Sequence, residues 1–448
     1  MANETLPGYL SAAKANPAEK RAPWYKNTAP AYAGIFLSVP FMAGMAGALA
    51  YGSISAAVIG LFIGALFCLI IYYVPAKLGM STGMPLYVAA SSTFGTQGAI
   101  LVPGYLMGVV QIFWHAFFTT AAAGFFMQAI GRSAENNQLL YWVVCGVWGL
   151  SMALVGAVGI SWLGWLSSWL PIFPLLIILV AAIKNAGGLS DFSSAVTVPQ
   201  GLGSVALGLG MFAALQSTAG FFASAGVAGT DFGMNSRNNK DVILGGFWGI
   251  TVTAFVAGVL AILAIAGAIG KNPAIATMEG FGPFFASIDA VGGQVAKVAS
   301  WVFVIACICP TGFCAFLASN AFKTMQPKLP RIPMTLVAGA IGAILAATGA
   351  ANKIIVFFII VGASFGPLAG AMLADYVRNG KWGGPRKGIN YAGYLAWILG
   401  FAVGILDRIP GIEMSYGLAT LMSFIVGFAV YLIAAEMGLE PESVELNK

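Results

Sequence analysis

Charge is what this sequence has least of. Of its 448 residues only 8% are Asp, Glu, Lys or Arg, while 59% are hydrophobic and the mean hydropathy is +0.88. A soluble domain carries about 25% charged residues. This chain cannot cover a water-facing surface, so soluble enzymes, nucleic-acid binders and secreted disulfide scaffolds are excluded. Histidine occurs once, at His115. No Cys/His spacing suits zinc, and neither a metal nor another cofactor is expected. The five cysteines (Cys68, Cys145, Cys307, Cys309, Cys314) all lie in apolar stretches and read as small packing residues. No short apolar core stands near residue 10, so no cleavable signal peptide is expected. A phosphate-binding G-x-x-x-x-G-K-[ST] loop is also missing, since Gly270-Lys271-Asn272 lacks the hydroxyl that binds Mg²⁺.

Long apolar runs are what the chain does have. A helix needs ~20 apolar residues to span the hydrocarbon, so 448 residues allow roughly twelve spans. Twelve segments are read at about 31–51, 54–78, 98–129, 140–158, 162–184, 202–228, 242–270, 293–323, 333–350, 352–377, 390–406 and 415–435. Backbone groups in lipid must bond within their own segment, which makes each run a helix. The expectation is an all-α polytopic membrane protein. It divides into an N-terminal tail (1–30), a transmembrane domain (31–435) and a C-terminal tail (436–448). With residue 1 cytoplasmic, the opposite side holds only Arg132, Lys184, Lys271, Lys297, Lys353 and Arg408 of the 21 basic residues. The positive-inside rule therefore puts both tails in the cytoplasm and the protein in the cytoplasmic membrane.

Glycine numbers 58, far above the usual ~7%. Most of it suits close helix approach, as in Gly60-x-x-x-Gly64. Two segments instead look interrupted. Segment 1 has Pro40 at mid-membrane within Leu37-Ser38-Val39-Pro40-Phe41-Met42-Ala43-Gly44, and segment 6 is polar and glycine-containing from Gln216 to Gly226. These are the first segments of two five-helix blocks, about 31–184 and 202–377. That placement points to an inverted repeat with its site at the midplane; two ordinary kinks are the plain alternative.

On segment 3, Gln111, Trp114, His115 and Phe118 recur at helical spacing. A glutamine amide can read the edge of a planar amide-like heterocycle, and an indole can stack on its face. An interhelical hydrogen bond with core aromatics would explain the same residues. His115 is the one ionisable group within a central span; it is a candidate proton carrier or a neutral bridge between helices.

Several motifs then align in order. They are Val39-Pro40-Phe41-Met42-Ala43-Gly44-Met45, Gly83-Met84-Pro85 leading to Thr93-Phe94-Gly95, Gln111-x-x-Trp114, Ser224-Ala225-Gly226, and Asp231-Phe232 with Arg237-Asn238. Gly366-Pro367-Leu368-Ala369-Gly370 to Ala374-Asp375-Tyr376 and Gly388-Ile389-Asn390-Tyr391 complete the set. From about residue 23 to about 430 the chain resembles the nucleobase:cation symporter family, in its cytosine/purine permease group of cytosine, purine, uracil, allantoin and hydantoin carriers.

The resemblance implies a leucine-transporter-like five-plus-five inverted repeat with broken helices 1 and 6 and two added helices (390–435). It implies a secondary active transporter importing a nucleobase or related planar heterocycle by alternating access, not an enzyme. The substrate residues would be Gln111, Trp114, His115, Phe222, Ser224, Ser38, Met42 and Gln216. Cation coupling would fall to Pro40, Phe41, Ile308, Cys309 and Thr311, or to His115 for a proton. The chain departs from the family where adjacent hydroxyls ligate sodium, since Ile308 and Cys309 stand there, and where an asparagine contacts substrate, since Cys314 stands there. Ser91 also replaces the usual arginine before the Phe-Gly motif. Sodium and protons both remain open as the coupling ion. A vitamin precursor or a hydantoin- or allantoin-like amide is the rival cargo, and an uncoupled uniporter or channel the rival mechanism. The expected partners are substrate, cation and lipid, without nucleic acid or an obligate protein.

Overall fold

The computed structural model describes residues 6–198, 202, 205–409 and 418–446. Each apolar segment holds a helix, because hydrocarbon leaves the backbone no partner outside its own turns. Helix 2 (Ile54–Thr82), helix 3 (Ile100–Ala129), helix 4 (Gln138–Val158), helix 6 (Val205–Val227), helix 7 (Asn239–Lys271), helix 8 (Gly293–Met325), helix 10 (Ile354–Asn379) and helix 12 (Ala419–Glu436) are long and apolar enough to cross a membrane. Helix 1 (Thr28–Phe36 and Val39–Leu49) and helix 5 (Ile160–Ser167 and Ile172–Gly188) are bent pairs, by 51° and 42°. Helix 9 (Arg331–Ala347) and helix 11 (Tyr391–Gly404) are shorter apolar helices.

The break in helix 1 falls where the sequence places it. Ser38 is extended (φ −89°, ψ 151°), and the second half restarts with Pro40 in its first turn. An amide there has no helical acceptor, so a proline costs nothing. Helix 6 differs from expectation: it runs unbroken through Gln216–Gly226, and the chain turns only at Ala228. The segment contains no proline, and the Thr218 hydroxyl is satisfied within the helix by Ala214 O at 2.8 Å. Its Gly220 lies against the Phe358 carbonyl of helix 10. The glycine that suggested a break serves close packing instead.

Helices 3, 4, 8 and 9 pack on one another, helices 1 and 2 pack with 6 and 7, and helix 10 lies across 6, 11 and 12. A side chain at Gly60 would overlap the Met211 carbonyl of helix 6, and one at Gly64 would meet Thr218 and Leu215. The Gly60/Gly64 pair thus brings helix 2 onto helix 6 at backbone distance, as small residues do in bilayers. All five cysteines are free and buried.

Both tails are folded onto one end of the bundle. The Tyr9 hydroxyl donates to Thr96 O (2.8 Å), Ala22 N to Asn235 O (2.8 Å) and Val444 N to Pro385 O (2.7 Å). At this end Arg386 is buried among Asp375 (2.9 Å), Glu440 (2.9 Å), the Tyr431 hydroxyl and the Ser92 carbonyl. Desolvation weakens the hold of Arg386 on its proton, but the Asp375 carboxylate, Tyr431 and Glu440 outweigh it, so the net shift is upward. Ser92 and Thr93 complete the Asp375 carboxylate from the connection between helices 2 and 3.

The opposite end is closed. The fully buried Asn185 donates from Nδ2 to Ala264 O on helix 7 (3.1 Å) and to Ser287 O (2.8 Å) on the short helix Gly282–Asp289. Lys271 Nζ reaches Lys184 O at 2.7 Å. Gly188, Gly267 and Gly270 let helices 5 and 7 meet backbone to backbone. Phe281 and Phe285 stack beneath this closure at 5.7 Å.

Candidate functional site

Helix 3 presents Trp114 to a cluster of aromatic rings at the break in helix 1. Phe221 of helix 6 (5.2 Å) and Phe357 of helix 10 (5.0 Å) meet the indole edge-on, with Phe117 and Phe358 each at 5.9 Å. Phe41, just past the break, touches Phe221 at 5.1 Å. The indole N–H donates to Ser224 Oγ at 3.3 Å, one helical turn from Phe221. Gln111, one turn before Trp114, is partly exposed, and its Nε2 lies 3.7 Å from the Met107 sulfur, a weak acceptor. Its amide is the polar group most available to a ligand. Ser38 Oγ is buried with no hydrogen-bond partner among the described residues, an unmet polar group at the point where the helix opens. The arrangement offers flat apolar faces, two hydroxyls and one amide, and no ionised side chain among the described residues. It suits a planar, uncharged ligand with a few hydrogen-bonding edges.

The remaining expected residues divide. Met42 is fully buried on the second half of helix 1. Phe222 turns away from Trp114: it stacks on Phe36 (5.2 Å, 19°) and meets Tyr32 (5.4 Å), holding the first half of helix 1 to helix 6. Its neighbour Phe221 occupies the cluster instead, because adjacent helical residues point about 100° apart. Gln216 lies elsewhere, its Oε1 accepting from Thr420 N (2.9 Å) at the start of helix 12. There it satisfies an amide that a helix start leaves without a partner.

His115 points into the group of helices 3, 4, 8 and 9. Its Nδ1 pairs with Thr311 O at 2.9 Å, and its ring lies over Gly342 of helix 9 and Gly149 of helix 4. The side chain is fully buried; Nδ1 pairs with a backbone carbonyl, as in a pin between helices, while Nε2 has no hydrogen-bond partner among the described residues. Thr311 Oγ1 donates to Cys307 O (2.5 Å) and accepts from Trp148 Nε1 (3.4 Å). Cys309 Sγ reaches Leu163 O of helix 5 (3.6 Å), and Ile308 packs in the same apolar group. Pro40 and Phe41 sit in the opening turn of the second half of helix 1. Among the described residues no hydrogen bond joins these cation candidates across helices 1 and 8; Cys309 and Thr311 bond toward helices 5 and 4. Phe357 and Phe358 were not singled out from the sequence. They lie in an apolar run with no polar neighbour to mark them. Phe221 did carry a signal, its spacing of three from Ser224.

Neither a protein-family model nor a curated protein matches the chain. Solved structures do. The chain superposes over 100% of its length, and 97% of the other chain, on the inward-facing conformation of Mhp1, with a TM-score of 0.74 at 15% identity. The fold is that of Mhp1. The closed conformation of Mhp1, a nucleobase-cation-symport-1 family transporter with bromovinylhydantoin bound, overlaps over 95% of each chain (TM-score 0.67, 16% identity). The substrate-bound outward-open state of a Na⁺-coupled sialic acid symporter overlaps over 97% of this chain and 93% of its own (TM-score 0.61, 14% identity). At these identities the likeness carries the fold. The architecture is thus the five-plus-five inverted repeat, with helices 11 and 12 added, and Mhp1 bears the family name that the sequence motifs resemble.

Proposed function

We propose that the protein is a secondary transporter that moves a planar, uncharged nitrogen heterocycle, a nucleobase or a hydantoin-like cyclic amide, across the cytoplasmic membrane by alternating access. The observation that carries this reading is the Trp114 cluster. An indole walled by Phe117, Phe221, Phe357 and Phe358, with Ser224 on its N–H and Gln111 beside it, lies against a helix break in a membrane bundle. Aromatic faces hold a flat ring, and neutral amide and hydroxyl groups recognise its edges without demanding a charge. In this reading both tails face the cytoplasm, as the distribution of Lys and Arg requires. Helices 1, 2, 6 and 7 rock against helices 3, 4, 8 and 9 around the fixed site. The Asn185 closure then seals the outer side.

No covalent chemistry is assigned to the site, and a cation is the expected co-substrate. Thermal unfolding of the purified protein against cytosine, uracil, hypoxanthine, allantoin and hydantoin tests the reading. A ligand at a hundred times its Kd stabilises the native state by about 2.7 kcal/mol, so one of these compounds is expected to raise Tm. A panel with no shift would leave the fold and remove the cargo.

A further inference from the structure

Four carboxylates among the described residues are withdrawn from water near the terminus-bearing end, and three have a cation. Asp241 is paired with Arg237 (2.8 Å), and Asp375 and Glu440 with Arg386 (2.9 Å each). The fourth, Asp231, is partly buried and forms an ion pair with no lysine or arginine among the described residues. Withdrawing a carboxylate from water without a cation is costly, and the usual relief is to bind a proton.

Asp231 also stands where three segments meet. It lies on the short helix Gly229–Gly233 that continues helix 6. Its Oδ1 accepts from the Leu86 amide at 2.8 Å, the first residue of the helix Leu86–Ala89 in the connection between helices 2 and 3. The first half of helix 1 closes the third side: Asn27 Nδ2 donates to Phe232 O (3.0 Å), the Tyr32 hydroxyl donates to Ala225 O (3.0 Å), and the Tyr32 ring lies 4.8 Å from Phe232. The titratable groups that face the carboxylate are phenols, Tyr32 from helix 1 and Tyr87 from the connection, with Tyr72 of helix 2 behind Tyr32. The guanidinium of Arg21, from the N-terminal tail, is engaged by the Met80 and Asn16 carbonyls, and that of Arg237 by Asp241. The Asn235 side-chain amide donates to the Asp231 backbone carbonyl and not to its carboxylate.

We propose that Asp231 is a proton-binding site that couples transport to a proton gradient. One proton adds to the carboxylate, giving a neutral carboxyl, when the 2–3 connection closes against helices 1 and 6; the proton leaves when the connection moves off that pair and water reaches the group. This rests on the transport reading and names its cation. Burial supports it from a second direction, holding the carboxyl up at about 6, with the Leu86 amide pulling the other way. The shared helix gives the link to substrate, because Phe221 and Ser224 of the Trp114 cluster lie on helix 6, which Asp231 extends.

The sign follows from the raised value. The folded protein holds a proton that the unfolded chain, with carboxyls near 4, has released, so the stabilisation is present below about pH 4 and is lost as pH rises through about 6. Thermal unfolding of wild type, Asp231→Asn and Asp231→Glu is followed from pH 5 to 7.5 without ligand. Wild type and Asp231→Glu are expected to lose Tm across pH 6 relative to Asp231→Asn. Equal slopes in all three would overturn the proposal.

Proteoliposomes carrying the wild type are then given cytosine, uracil and hydantoin with the entry side at pH 5.5 or 7.5 and no sodium. Uptake is expected to fall by up to about tenfold per pH unit above 6 and to alkalinise the entry side, as read by a pH dye. Asp231→Asn should carry no proton signal. Uptake by wild type that ignores pH overturns the coupling role even if Asp231→Asn does not fold. PH-dependent unfolding with no base bound or carried would retain the proton site and remove the cargo assignment instead.

Discussion

Removing the Asn185 amide should open the end of the molecule opposite the tails. Asn185 is fully buried, and its Nδ2 bridges Ala264 O and Ser287 O. In Asn185→Ala both bonds are lost, together with the longer contact from Lys271 Nζ to Asn185 Oδ1 (3.4 Å). The Ala264 carbonyl lies within helix 7 and keeps its helical partner, so its loss costs about 1 kcal/mol. The Ser287 carbonyl sits on the short helix over the closure, and leaving a buried acceptor there unmet costs about 1–2 kcal/mol. The total is about 2 kcal/mol or slightly more. In the proposed transport cycle, opening at this end parts helix 5 from helix 7 and the short helix, so the cost falls on the closed state alone. Two kcal/mol shifts a two-state equilibrium roughly thirtyfold toward the open form. Ile288, fully buried one residue past Ser287, reports the change. In an Ile288→Cys background, modification by a small membrane-impermeant thiol reagent should quicken by about the same factor when Asn185→Ala is added, with the five buried native cysteines as the blank. A rate unchanged within threefold, in protein that stays folded, would falsify the assignment of Asn185 as a latch.

Three further outcomes follow from the same geometry. Trp114→Ala removes the stacking surface and the bond to Ser224, and Phe221→Ala removes the ring facing it; each should weaken ligand binding at least tenfold in a calorimetric titration, while Phe222→Ala lowers Tm and leaves affinity within a few fold. His115→Gln should retain uptake under a pH gradient and lower stability by about 1–3 kcal/mol, since the ring pins helix 3 to the Thr311 carbonyl; loss of gradient-driven uptake in a stable variant would restore a coupling role to His115. Arg386→Met leaves Asp375 without its cation and Glu440 with Arg378 alone (3.3 Å), which costs about 3–5 kcal/mol, and should appear as a large fall in Tm that the double variant with Glu440→Gln partly recovers.

The helices were legible because lipid allows an apolar run only one solution. Pro40 marked the break in helix 1 because it stands in the first turn after the extended Ser38, whereas Pro75 and Pro367 lie inside helices 2 and 10 that run on through them. Segment 6 misled for a physical reason. Glycine signals either a break or a close approach, and only the neighbour decides: Gly220 has the Phe358 backbone against it, so helix 6 stays whole. The site was half legible. Gln111, Trp114 and Ser224 carry polar atoms that an apolar run makes conspicuous. Phe357 and Phe358 look like any other lipid-facing or core residue until helix 10 is packed. Choosing Phe222 over Phe221 required the phase of helix 6, which adjacent phenylalanines do not reveal. His115 shares a helical stripe with Trp114 in sequence, but a step of one residue turns it by about 100°, enough to face helices 4, 8 and 9 and leave the aromatic cluster.

The most direct test of the central claim is accumulation. Purified protein is reconstituted into sealed vesicles, and labelled cytosine, uracil and hydantoin are offered with an inward cation gradient, sodium and proton in separate arms. The account predicts saturable uptake of one of them above its external concentration, abolished when the gradient is collapsed and in Trp114→Ala. Equilibration without accumulation for every cargo, indifferent to both gradients, would contradict a coupled carrier and leave a passive pathway in the same fold.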